Sequence, residues 1–240
     1  MIGSMPRRAL YLSGDRDADA LLTRDPLALV IGMVLDQQIP LEKAFRGPAD
    51  LVERLGRPLD AARIAATDPE ALARTFARVP AIHRYPASMA GRVQALARIV
   101  ADEYGGDASR IWRDAKSGPD LVARVKALPG FGDQKARIFV ALLGKQLGVT
   151  PTGWRAASSP FGDAGATRSV ADIVDAASLA RVRQFKQDLK AAHKAELARA
   201  GAPAKAGDTK GAAGAAKRAT AAKRAPRTQP ASGRRSARQR

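Results

Sequence analysis

The chain reads as an all-α protein, and three observations carry that reading. Apolar residues recur at helical spacing through most of the first 200 positions. No apolar/polar alternation lasts more than a few residues, and capping residues stand ahead of segment after segment. Aromatic residues make up only 5% of the composition and Ala is abundant, which favours helices packed closely on small side chains.

Residues 1–14 read as a mobile lead-in, and residues 15–199 as one helical domain. Ser13-Gly14-Asp15 offers a cap for a short helix over 18–23. Asp25-Pro26 opens the next, over 26–38, with Pro at the first helical position and Ile39-Pro40 as its stop. Its opening turns are apolar all round, the pattern of a helix buried on every side. Amphipathic segments follow at 42–55, 59–65, 69–77, 88–104 and 109–114. Gly118-Pro119-Asp120 starts a helix that leads into a Gly-rich hairpin at 128–136, and a long helix over 133–147 leaves it. A Gly/Pro/Ser-rich loop, 148–167, is long enough to be functional or to pack on itself. Ser169-Val170-Ala171-Asp172 begins the last helical region, with a helix over 175–197. Residues 200–240 collapse to Ala, Lys, Arg, Gly, Pro, Thr and Ser, too few apolar groups to offset ordering, and read as a disordered tail.

At 240 residues and 45% apolar content, the chain can bury one good core or two small lobes. The formal charge is +18, with eleven Lys or Arg and a single acid, Asp208, in residues 201–240. Body and tail are both basic, which points to a polyanionic partner. The tail's spaced pairs, Lys217-Arg218, Lys223-Arg224 and Arg234-Arg235, suit sequence-independent phosphate contacts, or simple solubilisation. Cysteine is absent, which excludes disulfides, thiolate zinc sites and an iron–sulfur cluster held by protein thiolates. His83 and His193 are the only histidines, so no metal site and no cofactor are expected. Residues 1–12 lack a secretory pattern, and the longest apolar run, 27–35, is too short to span a bilayer. A cytoplasmic, nucleoid-associated protein without membrane contact follows. No long apolar face is left over, which suggests a monomer.

The chemistry concentrates in two motifs. In Leu128-Pro129-Gly130-Phe131-Gly132-Asp133-Gln134-Lys135-Ala136, two glycines flank one apolar residue at the start of a helix. Such a turn presents bare N–H groups where the helix dipole favours an anion, a way to hold a phosphate without reading a base. In Leu35-Asp36-Gln37-Gln38, a pair of neutral amides ends the buried helix about ninety residues earlier. Alone they could simply end a helix in water; equally, an amide can hydrogen-bond an orphaned base without the desolvation cost of a charge.

Together these motifs resemble those of the helix-hairpin-helix (HhH-GPD) DNA glycosylases, most closely the actinobacterial HhH-GPD-type base-excision repair proteins. The resemblance spans roughly residues 15–185 and implies an all-α, two-lobed fold with double-stranded DNA in the cleft between lobes. It implies that Gln38, with Gln37 beside it, enters the gap left by a flipped nucleotide. It implies that backbone N–H groups around Gly130, Gly132 and Gln134 grip a phosphate, with nearby carbonyls able to ligate a monovalent cation. Bifunctional members carry a Schiff-base lysine at the position held here by Gln134. Lys135 follows it, about 100° further round a helix, so a phosphate contact or a solvated side chain is expected of it, and no β-lyase activity.

The sequence also departs from the family. Its catalytic Asp has no counterpart in Gly148-Val149-Thr150-Pro151-Thr152-Gly153-Trp154, and Thr152 cannot supply a negative charge. The nearest acids are Asp163, which could fold back into the pocket or merely form a turn, and Asp36, which could act beside the base pocket or pair within the bundle. Met33 replaces the Glu of the adenine glycosylases, and the four-cysteine cluster of endonuclease III is missing. Arg84 and Tyr85, in His83-Arg84-Tyr85-Pro86, could stack on a base or form a solvated loop ahead of a cap at Ser88, with Arg92 a further phosphate contact. Trp112 and Trp154 read as core aromatics, although Trp154 could line a base pocket. The resemblance implies a monofunctional DNA N-glycosylase; the missing acid leaves open a non-catalytic damage-recognition protein.

Overall fold

The computed structural model describes residues 9–200, and every regular element among them is a helix. The order is α1 (Arg16–Arg24), α2 (Pro26–Leu35), α3 (Leu41–Leu55), α4 (Ala61–Ala66), α5 (Pro69–Ala77), α6 (Pro86–Tyr104), α7 (Arg110–Arg113), α8 (Gly118–Lys126), α9 (Asp133–Gln146), α10 (Trp154–Ala157), a 3₁₀ turn (Val170–Asp172) and α11 (Ala176–Ala200). The all-α expectation holds. Among the described residues, no helix is long and apolar enough to cross a membrane.

Helix α2 is the axis of the fold. The Asp25 carboxylate accepts from the Leu27 and Ala28 N–H groups, Pro26 occupies the first turn, and every residue from Leu27 to Leu35 is buried. A fully buried Leu, Val or Ile side chain contributes roughly 1.5–3 kcal/mol, so α2 is held by packing on all sides rather than by an amphipathic stripe. Helices α1, α3 and α6 surround it. The approach of α3 is close because Gly32 and Gly47 leave room: a Cβ at Gly32 would press on Phe45, and one at Gly47 on Leu35. Helices α4 and α5 pack on α6, and α8 packs on α9.

Four expectations need correction. Residues 9–14 are no mobile lead-in, since Leu10 and Leu12 are buried and the Asp19 carboxylate accepts from the Leu12 and Ser13 N–H groups. Helix α2 ends at Leu35, three residues before the expected stop, because Asp36 leaves the helical region and Gln38 turns left-handed. Ser88 lies within α6, whose N-cap is Tyr85 with Pro86 in the first turn. The 148–167 loop contains α10, anchored by Trp154. Of the expected disordered tail, 200–240, only Ala200 is described, as the last residue of α11, and the rest lies outside the described residues.

Candidate functional site

The end of α2 builds the site. The Asp36 N–H still donates to the Gly32 carbonyl, at 3.1 Å, and the Gln37 N–H then folds back onto Leu35 O, at 2.7 Å. Gln38 adopts φ 55°, the one non-glycine residue in the left-handed region among those described. Such a conformation costs on the order of 1 kcal/mol and persists only where surrounding contacts fix it. Here they do. Gln37 Nε2 donates to Val34 O at 2.6 Å, its Oε1 accepts from Arg92 Nη1 at 2.6 Å, and its backbone oxygen accepts from His83 Nε2 at 2.9 Å. The turn thereby holds Gln37 half-buried and leaves Gln38 exposed.

The His83 ring is fully buried. Its Nδ1 accepts the Tyr85 N–H at 3.0 Å, so that nitrogen bears no proton and Nε2–H is the donor to Gln37. Burial holds its pKa below the ordinary histidine value, consistent with this neutral tautomer. One imidazole thus ties the α5–α6 loop to the turn after α2.

The hairpin sits against the same turn. Gly130, at φ 83°, has Gln37 Nε2, Val34 Cγ1 and Arg92 Cδ all within 4 Å of where a Cβ would stand. Gly132 is the N-cap of α9 and no side chain caps that helix, so its leading N–H groups are left for an outside acceptor. Leu128 and Phe131 are buried and pack the hairpin onto the core.

Lys135 does not behave as expected. Its side chain is turned in towards α2, with Nζ donating to Val34 O at 3.3 Å and lying 5.7 Å from the Phe131 ring centroid. Burial lowers its pKa to about 8, with Asp36 opposing the shift and Arg92 adding to it. The Asp36 carboxyl is raised by burial, against the pull of Lys186 and Lys135. A half-buried acid and a half-buried amine therefore share the mouth of the site, each with its charged form disfavoured by lost hydration.

Other candidates fall elsewhere. Asp163 is exposed, and the residues after it, Ala164 to Thr167, line a cleft with Lys145 and Gln146. That cleft is at the far end of α9, about 15 Å along its axis from Lys135. Of the two candidate acids, only Asp36 is beside the glutamines. Thr152 is exposed, and its carbonyl accepts the Gly118 N–H at 2.8 Å. Trp154 is buried with its indole seated over Gly144, where any Cβ would overlap the ring, and Arg155 stacks on it at 4.5 Å. It is a core aromatic. Trp112 packs edge-on to Phe139. Arg84 and Gln134 are exposed, Arg84 lying 4.8 Å from the ring centroid of the exposed Tyr85. Arg92 is half-buried and committed in part to Gln37. Among the described residues, no cluster of three or more His, Cys, Asp or Glu side chains is placed to hold a metal.

Sequence reasoning missed His83 as the link to Gln37, and the Val34 carbonyl as the shared acceptor. A lone histidine carries no such signal, and a backbone carbonyl carries none at all. No family model matches this chain, and no match is found among curated proteins or solved structures.

Proposed function

We propose that this protein is a base-excision DNA repair protein of the HhH-GPD glycosylase type, two-lobed, acting on duplex DNA as a monofunctional N-glycosylase. The observation that carries this reading is the convergence on Val34 O: Gln37 Nε2 and Lys135 Nζ both donate to it. That carbonyl brings the hairpin helix, the amide pair and Asp36 to one place.

In this reading the uncapped start of α9, at Gly132, takes a backbone phosphate, with Gly130 shaping the turn. Arg84, Arg92 and Gln134 add contacts around it. Gln38, exposed on a strained turn, enters the space vacated by the flipped nucleotide, and Gln37 braces it. Asp36 supplies the carboxylate that the family places elsewhere. As the bond from C1′ to the base nitrogen breaks, positive charge grows on the sugar, and a carboxylate in a poorly hydrated pocket opposes it more strongly than one in water. The base departs with the bonding electron pair, water adds to C1′, and the proton that water gives up passes to Asp36 and from there to the departed base nitrogen. Lys135, whose pKa of about 8 leaves it mostly protonated at pH 7, supplies a positive charge that favours the ionised form of that carboxylate.

A second reading, a damage-recognition protein without catalysis, rests on Thr152 standing where the family's acid is expected. Duplexes with single lesions (uracil, 8-oxoguanine, alkylated bases, hypoxanthine) separate the two. Abasic product from any of them supports the enzyme; tight duplex binding with no abasic product from all of them supports the second reading.

A further inference from the structure

Helix α11 continues well past the body of the protein. Through Glu196, Val182 is its last buried residue and Phe185 its last half-buried one; every side chain from Lys186 to Glu196 is exposed. A stretch without tertiary packing keeps only its own propensity, which is marginal for isolated helices of about 12–15 residues. The spacing of its cations is not random. Lys186, Lys190 and Lys194 recur every four residues and form one stripe, about 6 Å apart along the axis. The acids Asp188 and Glu196 lie more than about 100° from the centre of that stripe. Asp188 is occupied by Gln184, at 2.8 Å. None of the three lysines has an ion-pair partner among the described residues, whereas Arg183, at the start of the stripe, is paired with Glu42 of α3.

The stripe begins at the site. The Arg183–Glu42 pair fixes α11 against the start of α3, just past the Gln37-Gln38 turn. Lys186, the next member, is near enough to Asp36 to act on its carboxylate. Arg181, on another side of α11, instead lines the cleft with Lys145 and Arg155 at the far end of α9.

We infer that the Lys186, Lys190 and Lys194 stripe of α11 is a second phosphate-contacting surface, which follows the backbone of the duplex engaged at the α2–hairpin site. The inference rests on the proposed duplex binding and extends it beyond the hairpin. Duplex DNA carries one charge per about 1.7 Å of axis, so each lysine in the row finds a phosphate within its reach. The contact carries no sequence information; it fixes the angle at which the duplex lies across the site.

The test is the salt dependence of duplex binding by the full chain, measured for wild type, Lys190→Gln/Lys194→Gln, Lys190→Arg/Lys194→Arg and Arg181→Gln. Each lost phosphate contact lowers the slope of log K against log salt by about 0.9. The double Gln variant is expected to lose close to two such increments with its helix content unchanged by circular dichroism, while the double Arg variant and Arg181→Gln keep the wild-type slope. An unchanged slope in the double Gln variant overturns the inference, as does an equal fall in Arg181→Gln. An unchanged slope combined with lost binding to phosphatidylserine vesicles assigns the stripe to a lipid surface and also overturns it. Failure of the wild-type chain to bind duplex at all overturns the DNA reading itself, and the stripe with it.

Discussion

Arg92 reaches from α6 to Gln37, its guanidinium Nη1 2.6 Å from the amide oxygen, across 55 residues of chain. Both side chains are half-buried, so this is a charge-assisted hydrogen bond with limited competition from water, in the range of about 1.5–3 kcal/mol. Arg92→Ala and Gln37→Ala are each expected to destabilise the fold, and a double-mutant cycle by urea denaturation should show positive coupling of at least about 1 kcal/mol. Additive effects would mean that the bond does not brace the turn.

The two hairpin glycines are expected to separate stability from binding. Gly130→Ala places a Cβ at φ 83°, a conformation costing about 1–2 kcal/mol for an L-residue. Gly132 lies at φ −92° with nothing within 4 Å of an added Cβ. Gly132→Ala should therefore stay within about 1 kcal/mol of wild type in stability. If α9 takes a phosphate there, the same methyl group should weaken duplex binding about tenfold or more.

Trp154 and Gly144 test the anchoring of the 148–167 loop. Trp154→Ala empties the space over Gly144 and is expected to cost about 3–5 kcal/mol. Gly144→Ala pushes a Cβ into the indole and is expected to cost about 1–3 kcal/mol. Thermal denaturation of the two variants checks both values.

Lys135 gives the pH dependence a definite sign. Its pKa falls from an ordinary 10.5 to about 8 on folding. Between those values the unfolded chain binds a proton that the folded chain does not, so stability rises with pH across the window. The gain is at most about 3 kcal/mol and should vanish in Lys135→Met. Asp36 acts at the other end: its folded pKa lies above 3.8, so its contribution is favourable in acid and is lost as pH climbs through that raised value. Urea midpoints of Lys135→Met and Asp36→Asn, each compared with wild type across pH, isolate the two effects.

Much of the scaffold was legible because its signals are local. Helix α5 runs over the 69–77 stretch that its pattern predicts, between a capping Asp68 and the end of its apolar spacing. The start of α2 was legible in Asp25-Pro26 for the same reason. Its end was not, since the turn at Gln38 is stabilised by His83 and Arg92, both far away in sequence. The direction of Lys135 was hidden likewise: one helical step of about 100° argues against the pocket, but here that step brings its Nζ to the Val34 carbonyl. Of the candidate acids, sequence spacing could not separate Asp163 from Asp36, because the path of a 20-residue loop depends on where Trp154 finds its socket.

The most direct measurement is single-turnover release of a lesion base from duplex DNA by the full chain, with Asp36→Asn and Gln38→Ala alongside. The expected result is an abasic product from at least one lesion, a rate lowered at least about a hundredfold by Asp36→Asn, and weakened lesion binding with Gln38→Ala. Excision that proceeds at the wild-type rate in Asp36→Asn would contradict the assignment of the acid. Absence of abasic product from every lesion would contradict the glycosylase itself.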